Sequence, residues 1–556
     1  MSNRSPRSQC ITPKTSDSPS NLDSSSIAMP TSRRDEHEPD MPMSPASDRS
    51  SPRPPLWPQH KRSLGIDVPG AVRSIITPKT KSELTYDSKL VILMVGLPAR
   101  GKSYIVKKLR RYLNWLQYET KVFNVGNLRR VNQASQNQVQ SAKFFDPDNS
   151  EMKNYRDHLA LEVLENLLDW LKDGGRVAIH DATNSTIERR YLLLNRLRDF
   201  PHIKVLILES ECNDTKILER NFRLKLLGPD YKDKPAATAL ADFKSRVSNY
   251  EKAYQPVGDW EEENNIAYCK IMNVGKKVIA YNISGYLSGQ CVFYLMNFNL
   301  EDRQIFLTRH GESLDNIQGR IGGDAPLSPS GEKYASALST FIKEQRVRFA
   351  LELVRQRHEQ EETWISHGLE PLEAGNLLRS STPEQAFHEK AASISSRQFA
   401  VWTSMLQRSM QTAQYFDPDE YDIKHIRFLN EINAAGCEGM TYPEIESKFP
   451  KEYAARQANK LYYRYPGIGG ESYLDVIHRT QPMIVELERM RESCLIITHR
   501  VVMRILLGYL MDKTQQEMPH MDIPMHTLFE VRPKPYGNEL RIWKYDQEED
   551  TFKRVQ

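Results

Sequence analysis

Two separated stretches of this chain carry residue types suited to phosphate. Residues 96–103 read Gly-Leu-Pro-Ala-Arg-Gly-Lys-Ser. This is a G-x-x-x-x-G-K-[ST] pattern, in which Gly96 and Gly101 let the backbone curl until consecutive N–H groups face one anion. Lys102 would bring a point charge to the terminal phosphates, and Ser103 would offer a hydroxyl to Mg²⁺. Asp181, in AIHDATN, stands where a metal-organising or proton-accepting carboxylate is expected; it would serve equally as the N-cap of a helix beginning near Ile187. Arg129 and Arg130 suit an anionic substrate or a solvated surface.

The second stretch, Leu-Thr-Arg-His-Gly-Glu-Ser at 307–313, has partners far along the chain in Arg408, Glu431 and Thr498-His499. R-H-G-E marks a resemblance to the histidine phosphatases. His310 would attack phosphorus and divide one hard displacement into two. Arg309, Arg408 and His499 would surround the equatorial oxygens. Glu431 would protonate the leaving oxygen and then help to activate water.

The elements needed to position these groups are readable. Leu-Val-Ile-Leu-Met-Val at 90–95 is a strand buried on both faces, and a helix follows it with Ile105, Val106, Leu109, Leu113 and Leu116 on one side. Strands at 121–125, 176–179 and 204–208 alternate with helices at 161–171 and 189–197, which predicts a mostly parallel sheet. Residues 276–297 read as strand-rich and without helix, closing the first domain. A second α/β series places strands at 304–308, 399–403 and 494–498 and helices at 331–344, 409–415 and 501–511. The polar stretch 346–395 reads as a surface insertion with some helix.

Composition bounds the answer. The 556 residues suit three or four domains, and 76 Lys and Arg against 72 Asp and Glu leave +4, too even for a whole-chain nucleic-acid binder. Six cysteines without a C-x-x-C pair argue against a zinc ribbon or disulfide scaffold and fit a cytoplasmic, reducing setting. No apolar run approaches a membrane span, and the N-terminus has no secretory h-region. Residues 1–87 are rich in Ser, Pro, Asp and Arg and are expected to be disordered. Their Ser-Pro and Thr-Pro dipeptides (Ser5, Thr12, Ser18, Ser44, Ser51, Thr77) suit either a spacer or a tail for proline-directed protein kinases.

The pairing of both motifs closely resembles the bifunctional 6-phosphofructo-2-kinase/fructose-2,6-bisphosphatase family over about residues 88–545. Matching stretches include NVGNLRR, DATNST, LLGPDY, YEKAYQP, GRIGGDAPLS, RYPGIGGESY and PMHT. The long tail is similar to the fungal members. The resemblance implies two α/β domains: a P-loop kinase at 88–300 and a phosphoglycerate-mutase-like histidine phosphatase at 301–545, with a C-terminal tail at 546–556. It implies transfer of the γ-phosphoryl of ATP to the 2-hydroxyl of fructose 6-phosphate, with Arg129, Arg130, Arg156, Arg246 and Tyr250 on the sugar phosphate and Asn221 and Lys225 on ATP. It implies hydrolysis of fructose 2,6-bisphosphate through His310, with Asn316, Tyr442, Arg456, Lys460, Tyr473 and Arg504 on its two phosphates, and a homodimer joined through the kinase half.

Three places depart from the family pattern. Arg500 stands where glutamine is common after the second histidine, which would add a cation at the phosphate site. E-I-D-A-G reads Glu431-Ile432-Asn433-Ala434-Ala435, and G-E-Y-R-R reads Gly126-Asn127-Leu128-Arg129-Arg130. A kinase-dominant enzyme with a weak phosphatase half is therefore an alternative reading. A non-catalytic nucleotide-sensing scaffold is a third, opposed by the intact Lys102, Ser103 and Asp181.

Overall fold

The computed structural model describes residues 89–136, 142–228, 230–231, 234–369, 383–534 and 537–555. The expected tail, 1–87, and the middle of the expected insertion, 370–382, lie outside the described residues.

Aliphatic runs, longest in β1 and β4, build the first sheet from β1 (Lys89–Val95), β2 (Thr120–Asn124), β3 (Val177–Asp181), β4 (Ile203–Glu211), β5 (Tyr268–Met272) and β6 (Lys277–Tyr281). Their order is β2-β3-β1-β4-β5-β6, parallel except for β6, which runs against β5. The helices are α1 (Lys102–Trp115), α2 (Val125–Gln136), α3 (Ser150–Lys172), α4 (Ile187–Leu197), α5 (Thr215–Leu226), α6 (Ala236–Lys252), the short α7 (Asp259–Glu263) and α8 (Tyr286–Leu295). The parallel strands set the ends of β1, β2 and β3 side by side, the edge at which ligands bind in open α/β sheets.

The second sheet comprises β7 (Ile305–Arg309), β8 (Phe399–Thr403), β9 (Asp422–His425), β10 (Ser493–Thr498), β11 (Thr527–Lys534), β12 (Gly537–Asp546) and β13 (Thr551–Arg554). The order is β13-β12-β11-β7-β10-β8-β9: four parallel strands joined at β7 to an antiparallel meander. Its helices are α9 (Leu314–Ile317), α10 (Pro329–Ser366), α11 (Pro383–Ser395), α12 (Gln407–Thr412), α13 (Tyr442–Lys448), α14 (Pro450–Ala458), α15 (Tyr473–Arg489) and α16 (Arg500–Leu510).

Three expectations need correction. Residues 286–295 are the helix α8, not strand-rich: YLSGQCVFYL is apolar on nearly every side, so no 3.6-residue stripe shows, and it is wedged in the core with Leu287, Cys291, Tyr294 and Leu295 buried. The helix expected to stop at 344 continues to Ser366, because no glycine or proline interrupts 332–367. The expected tail after 545 instead adds β13 to the sheet, with Phe552 buried.

The two halves share one core. Leu109, Tyr112 and Trp115 of α1, Cys291 and Tyr294 of α8, Ile484 and Leu487 of α15 and Val502, Ile505 and Tyr509 of α16 belong to the same cluster. A buried charge group crosses it: Glu488 pairs with Lys108 and, at 2.7 Å, with Arg111, and accepts from the Tyr509 hydroxyl at 2.6 Å. The insertion reaches the first half as well: Leu369, just past α10, joins Leu226, Tyr231, Ala239, Phe243 and Ala99 in a satellite cluster, with Trp364 packed against it.

Candidate active sites

The first site opens where β1 ends. Gly96 has φ +133°, and a side-chain carbon there would lie 2.4 Å from the Ser210 carbonyl oxygen on β4, so only glycine fits. The loop turns through Ala99 at φ +61° and Gly101 at φ +92°, which is the N-cap of α1, so the helix presents its first free N–H groups and the positive end of its dipole to the loop. The Asn221 side chain on α5 donates to the Ala99 carbonyl at 2.9 Å and holds that turn.

A cavity of about 1210 Å³ surrounds the loop. This exceeds the roughly 300–1,000 Å³ of an ordinary small-molecule pocket and has room for two ligands. Gly101, Lys102, Ser103, Arg129, Arg130, Arg156, Asp181, Asn221, Lys225, Arg246 and Tyr250 all line it, so the structure brings the sequence-chosen residues of this half together. Gly96 shapes the loop from behind.

Lys102 donates to the carbonyls of Gly96 at 2.7 Å and Leu97 at 2.6 Å. Burial pulls its pKa down to about 7, against the opposing pull of Asp181. Asp181 is buried at the end of β3, accepts from Asn124 at 2.5 Å, and has its pKa raised by burial. It does not cap α4: Thr186 is the N-cap, accepting from the Arg189 N–H at 3.3 Å. Asp181 is therefore left facing the cavity chemistry.

Arg129 is buried, not solvated, and meets Asp230 at 2.9 Å; Arg130 and Arg246 approach the same carboxylate at 3.6 and 3.2 Å. Arg246 lies 3.9 Å, and Arg129 5.3 Å, from the Phe145 ring centroid. Three guanidiniums held around one carboxylate and one ring form a preset anion site. Asp230 and Asn124 were missed from sequence, although both fall inside quoted motifs, LLGPDY and NVGNLRR.

The second site lies where β7, β8 and β10 end. The His310 Nδ1–H donates to the Gly311 carbonyl at 2.7 Å, so Nε2 keeps its lone pair; Arg408 Nε donates to that nitrogen at 3.1 Å. Burial, then the charges of Arg408 and Arg309, hold His310 well below the ordinary histidine pKa, so it is a neutral nucleophile. The His310 and His499 rings are 5.0 Å apart. Arg309 donates to the Ile523 carbonyl at 3.2 Å, and burial together with neighbouring arginines brings its pKa to about 10, with Glu431 opposing.

Glu431 accepts from the backbone N–H groups of Ile432 at 2.9 Å and Val501 at 3.2 Å, which ties the candidate acid to the first turn of α16. Arg479 braces this loop by donating to the Glu431 carbonyl at 3.1 Å and pairing with Glu471 at 2.7 Å. Arg504 donates to the Tyr473 hydroxyl at 2.9 Å and Arg456 to that of Tyr442 at 3.1 Å, while Lys460 feels the charges of Arg456, Arg504 and Arg500. Ser313 caps α9 by accepting from the Asn316 N–H at 3.3 Å, and the Asn316 side chain accepts from the Ser313 N–H at 3.1 Å.

Arg500 is exposed, and its charge bears on Arg309 and Lys460; the largest charge effects on His499 come from His310, Arg408, Arg309 and Arg479. Ala435 has φ +42°, a left-handed conformation that disfavours alanine. Ser404 and Thr412 were missed: the first lies 2.7 Å from His499 Nε2, and the second accepts from the Gly311 N–H at 2.9 Å.

Comparison with known proteins agrees with this division. A sequence model described as 6-phosphofructo-2-kinase matches residues 78–302, and one described as the histidine phosphatase superfamily (branch 1) matches 305–366 and 384–546. A probable 6-phosphofructo-2-kinase of Schizosaccharomyces pombe is 46% identical over 92% of this chain and 78% of its own. The 6-phosphofructo-2-kinase 1 of Saccharomyces cerevisiae is 48% identical over 89% of this chain, which spans only 57% of that longer protein. The human 6-phosphofructo-2-kinase/fructose-2,6-bisphosphatase 3 is 38% identical over 87% of this chain and 82% of its own.

Proposed function

The chain belongs to the 6-phosphofructo-2-kinase/fructose-2,6-bisphosphatase family, and from that membership we propose that it both makes and hydrolyses fructose 2,6-bisphosphate. The observation that carries the reading is the coexistence in one chain of a phosphate loop in an arginine-lined cavity and a buried His310 whose Nε2 faces Arg408.

In the kinase half, the phosphate loop and α1 hold ATP, and Lys102 moves from the loop carbonyls to the transferring phosphoryl group. Arg129, Arg130, Arg156, Arg246 and Tyr250 seat the 6-phosphate of the sugar. Ser103 and Asp181 both line the cavity and offer a hydroxyl and a carboxylate, hard oxygen donors that suit Mg²⁺ arriving with the phosphates. Mg²⁺ would neutralise charge on the β- and γ-oxygens. Asp181, its pKa raised, is placed to organise that ion or to take the proton of the 2-hydroxyl.

In the phosphatase half, His310 Nε2 bonds to phosphorus as the bond to the sugar O2 breaks. Glu431 delivers a proton to that oxygen, and water then releases phosphate from the histidine. Arg408, Arg309 and His499 hold the equatorial oxygens.

The partners are fructose 6-phosphate, its bisphosphate and a second copy of the chain, joined through the kinase half, where β6 is the sheet's edge strand. Protein kinases acting on the tail dipeptides are a further proposed partner. The setting is the cytoplasm; the five described cysteines are free and buried, and no described helix is long and apolar enough to cross a membrane.

Both reactions should be assayed on one purified preparation. Substrate labelled in its 2-phosphate should leave acid-labile label on the protein, and His310→Ala should lose label and hydrolysis while synthesis survives. The exposed Arg500 beside Arg309 favours a second, kinase-dominant reading, which absence of any phosphoenzyme would support.

A further inference from the structure

We infer that Ser404 is a positioning residue that holds His499 as its Nδ1–H tautomer, so that this histidine meets the transferring phosphoryl group as a neutral hydrogen-bond donor. The inference rests on the phosphatase reading above.

The argument follows the protons. Ser404 stands on the turn after β8, fully buried. Its Oγ accepts from the Leu406 backbone N–H at 3.2 Å. Its own hydrogen has one acceptor within reach among the described residues, His499 Nε2 at 2.7 Å. A hydroxyl that accepts from a backbone amide and donates to a ring nitrogen is fully used, and a nitrogen that accepts carries no proton. The ring proton therefore sits on Nδ1.

The reverse assignment fails twice. With the proton on Nε2, Ser404 Oγ would accept from two donors while its own hydrogen found no acceptor. Nδ1 would then turn a lone pair toward anionic phosphoryl oxygens.

The second observation is independent of Ser404. His499 Nδ1 is buried and has no hydrogen-bond partner, although buried polar atoms are rarely left unpaired. Its ring stands 5.0 Å from that of His310 and shares the neighbourhood of Arg408 and Arg309. An unpaired N–H in this position is a preorganised donor awaiting an oxygen. Burial and those same cations hold His499 well below its ordinary pKa, which agrees with a neutral ring. The chain Leu406 N–H to Ser404 to His499 thus does for the second histidine what the Gly311 carbonyl does for the first: each fixes which nitrogen faces phosphorus.

The test is the tautomer itself, read on the full chain with ¹⁵N-labelled histidine and His499 assigned by its loss in His499→Asn. The parent protein should show Nδ1 protonated and Nε2 bare. Ser404→Ala should shift the ring toward the other tautomer or a mixture, and lower the hydrolytic kcat by up to about 10²–10³-fold with little change in KM and none in synthesis. Ser404→Thr, which keeps the hydroxyl, should restore the parent tautomer. A protonated Nε2 in the parent, or an unchanged tautomer in a folded Ser404→Ala, overturns the inference. If the parent shows the Nδ1–H tautomer but hydrolyses no bisphosphate, the phosphatase reading fails and the positioning role of Ser404 stands.

Discussion

Arg111, on the helix that starts at the phosphate loop, meets Glu488 of the histidine-site half at 2.7 Å, with Glu488 only 3% exposed. Lys108 contributes a second cation and Tyr509 a hydroxyl to the same carboxylate. These cations hold Glu488 well below the usual carboxylate pKa despite its burial. Removing one partner of such a group strands the others in the interior.

Glu488→Gln should therefore cost about 3–5 kcal/mol, read as a fall in the denaturation midpoint. The pH dependence has a defined sign. A carboxylate whose folded pKa is depressed contributes stability that is present above its unfolded value near 4.5 and lost as pH falls through the folded value. The parent should lose stability below about pH 4.5 more steeply than Glu488→Gln. Equal acid sensitivity would show that the group is not ion-paired.

Lys102 supplies a test of the phosphate loop that does not depend on turnover. Its pKa of about 7 reflects burial, and phosphate oxygens beside it would raise that value. Binding metal-free ADP at pH 8 should then take up about one proton, measured by titration calorimetry in buffers of different ionisation enthalpy. Lys102→Met should abolish both the uptake and the synthesis of fructose 2,6-bisphosphate while hydrolysis continues. Near-normal synthesis would sink the assignment.

Ala435 carries a left-handed backbone, φ +42°, in the loop that follows Glu431. Glycine adopts this conformation freely, so Ala435→Gly should stabilise the protein by about 0.5–1 kcal/mol. Thermal melting of the two proteins decides it; a lower midpoint would mean that the alanine methyl contributes more than its strain costs.

Arg500 offers a fixed cation where the family commonly has glutamine. It is exposed, and its charge is felt at Arg309 and Lys460. Its effect is then uniform attraction for bound anions, the phosphate product included, which lowers KM and slows product release without assisting the chemical step. Arg500→Gln should raise KM and the hydrolytic kcat and leave synthesis alone. An unchanged or lower kcat would show that Arg500 does not limit hydrolysis.

What could be read from the sequence divides along physical lines. The loop at 96–103 and His310 were visible because turn geometry and nucleophilicity demand particular residue types at fixed spacing. The parallel strands β1, β3, β4, β7, β8 and β10 were visible because their runs are apolar and mostly buried, whereas β5 and the half-exposed β9 gave no such run. Helix α8 was not, since a helix buried on nearly all sides loses its periodicity. The Glu488 group was hidden because Lys108, Arg111 and Glu488 are far apart in sequence and ordinary in type. Ser404 was passed over because a serine declares its role only when its two hydrogen bonds are known. Whether Asp181 capped a helix could be settled only by finding Thr186 in that place.

The insertion provides the last prediction. It leaves the phosphatase half on α10, whose far end carries Trp364, with Leu369 shortly after it, and reaches a cluster that includes Ala99, Tyr231 and Phe243 of the kinase cavity wall. Leu369 is buried there with Ala99 of the phosphate loop and with Leu226, Tyr231 and Phe243. The strained turn at Ala99 depends on neighbours to hold it, and the Asn221 bond to its carbonyl comes from the same helix, α5, that carries Leu226. Trimming Trp364 should loosen this cluster without touching any group that contacts ATP. Trp364→Ala should lower stability by about 1–3 kcal/mol and raise the KM for ATP several-fold, while hydrolysis at His310 is unchanged. Steady-state kinetics of both reactions on the same preparation read the outcome. If the KM for ATP stays at the parent value while the melting point falls, the insertion braces the fold and takes no part in shaping the nucleotide site.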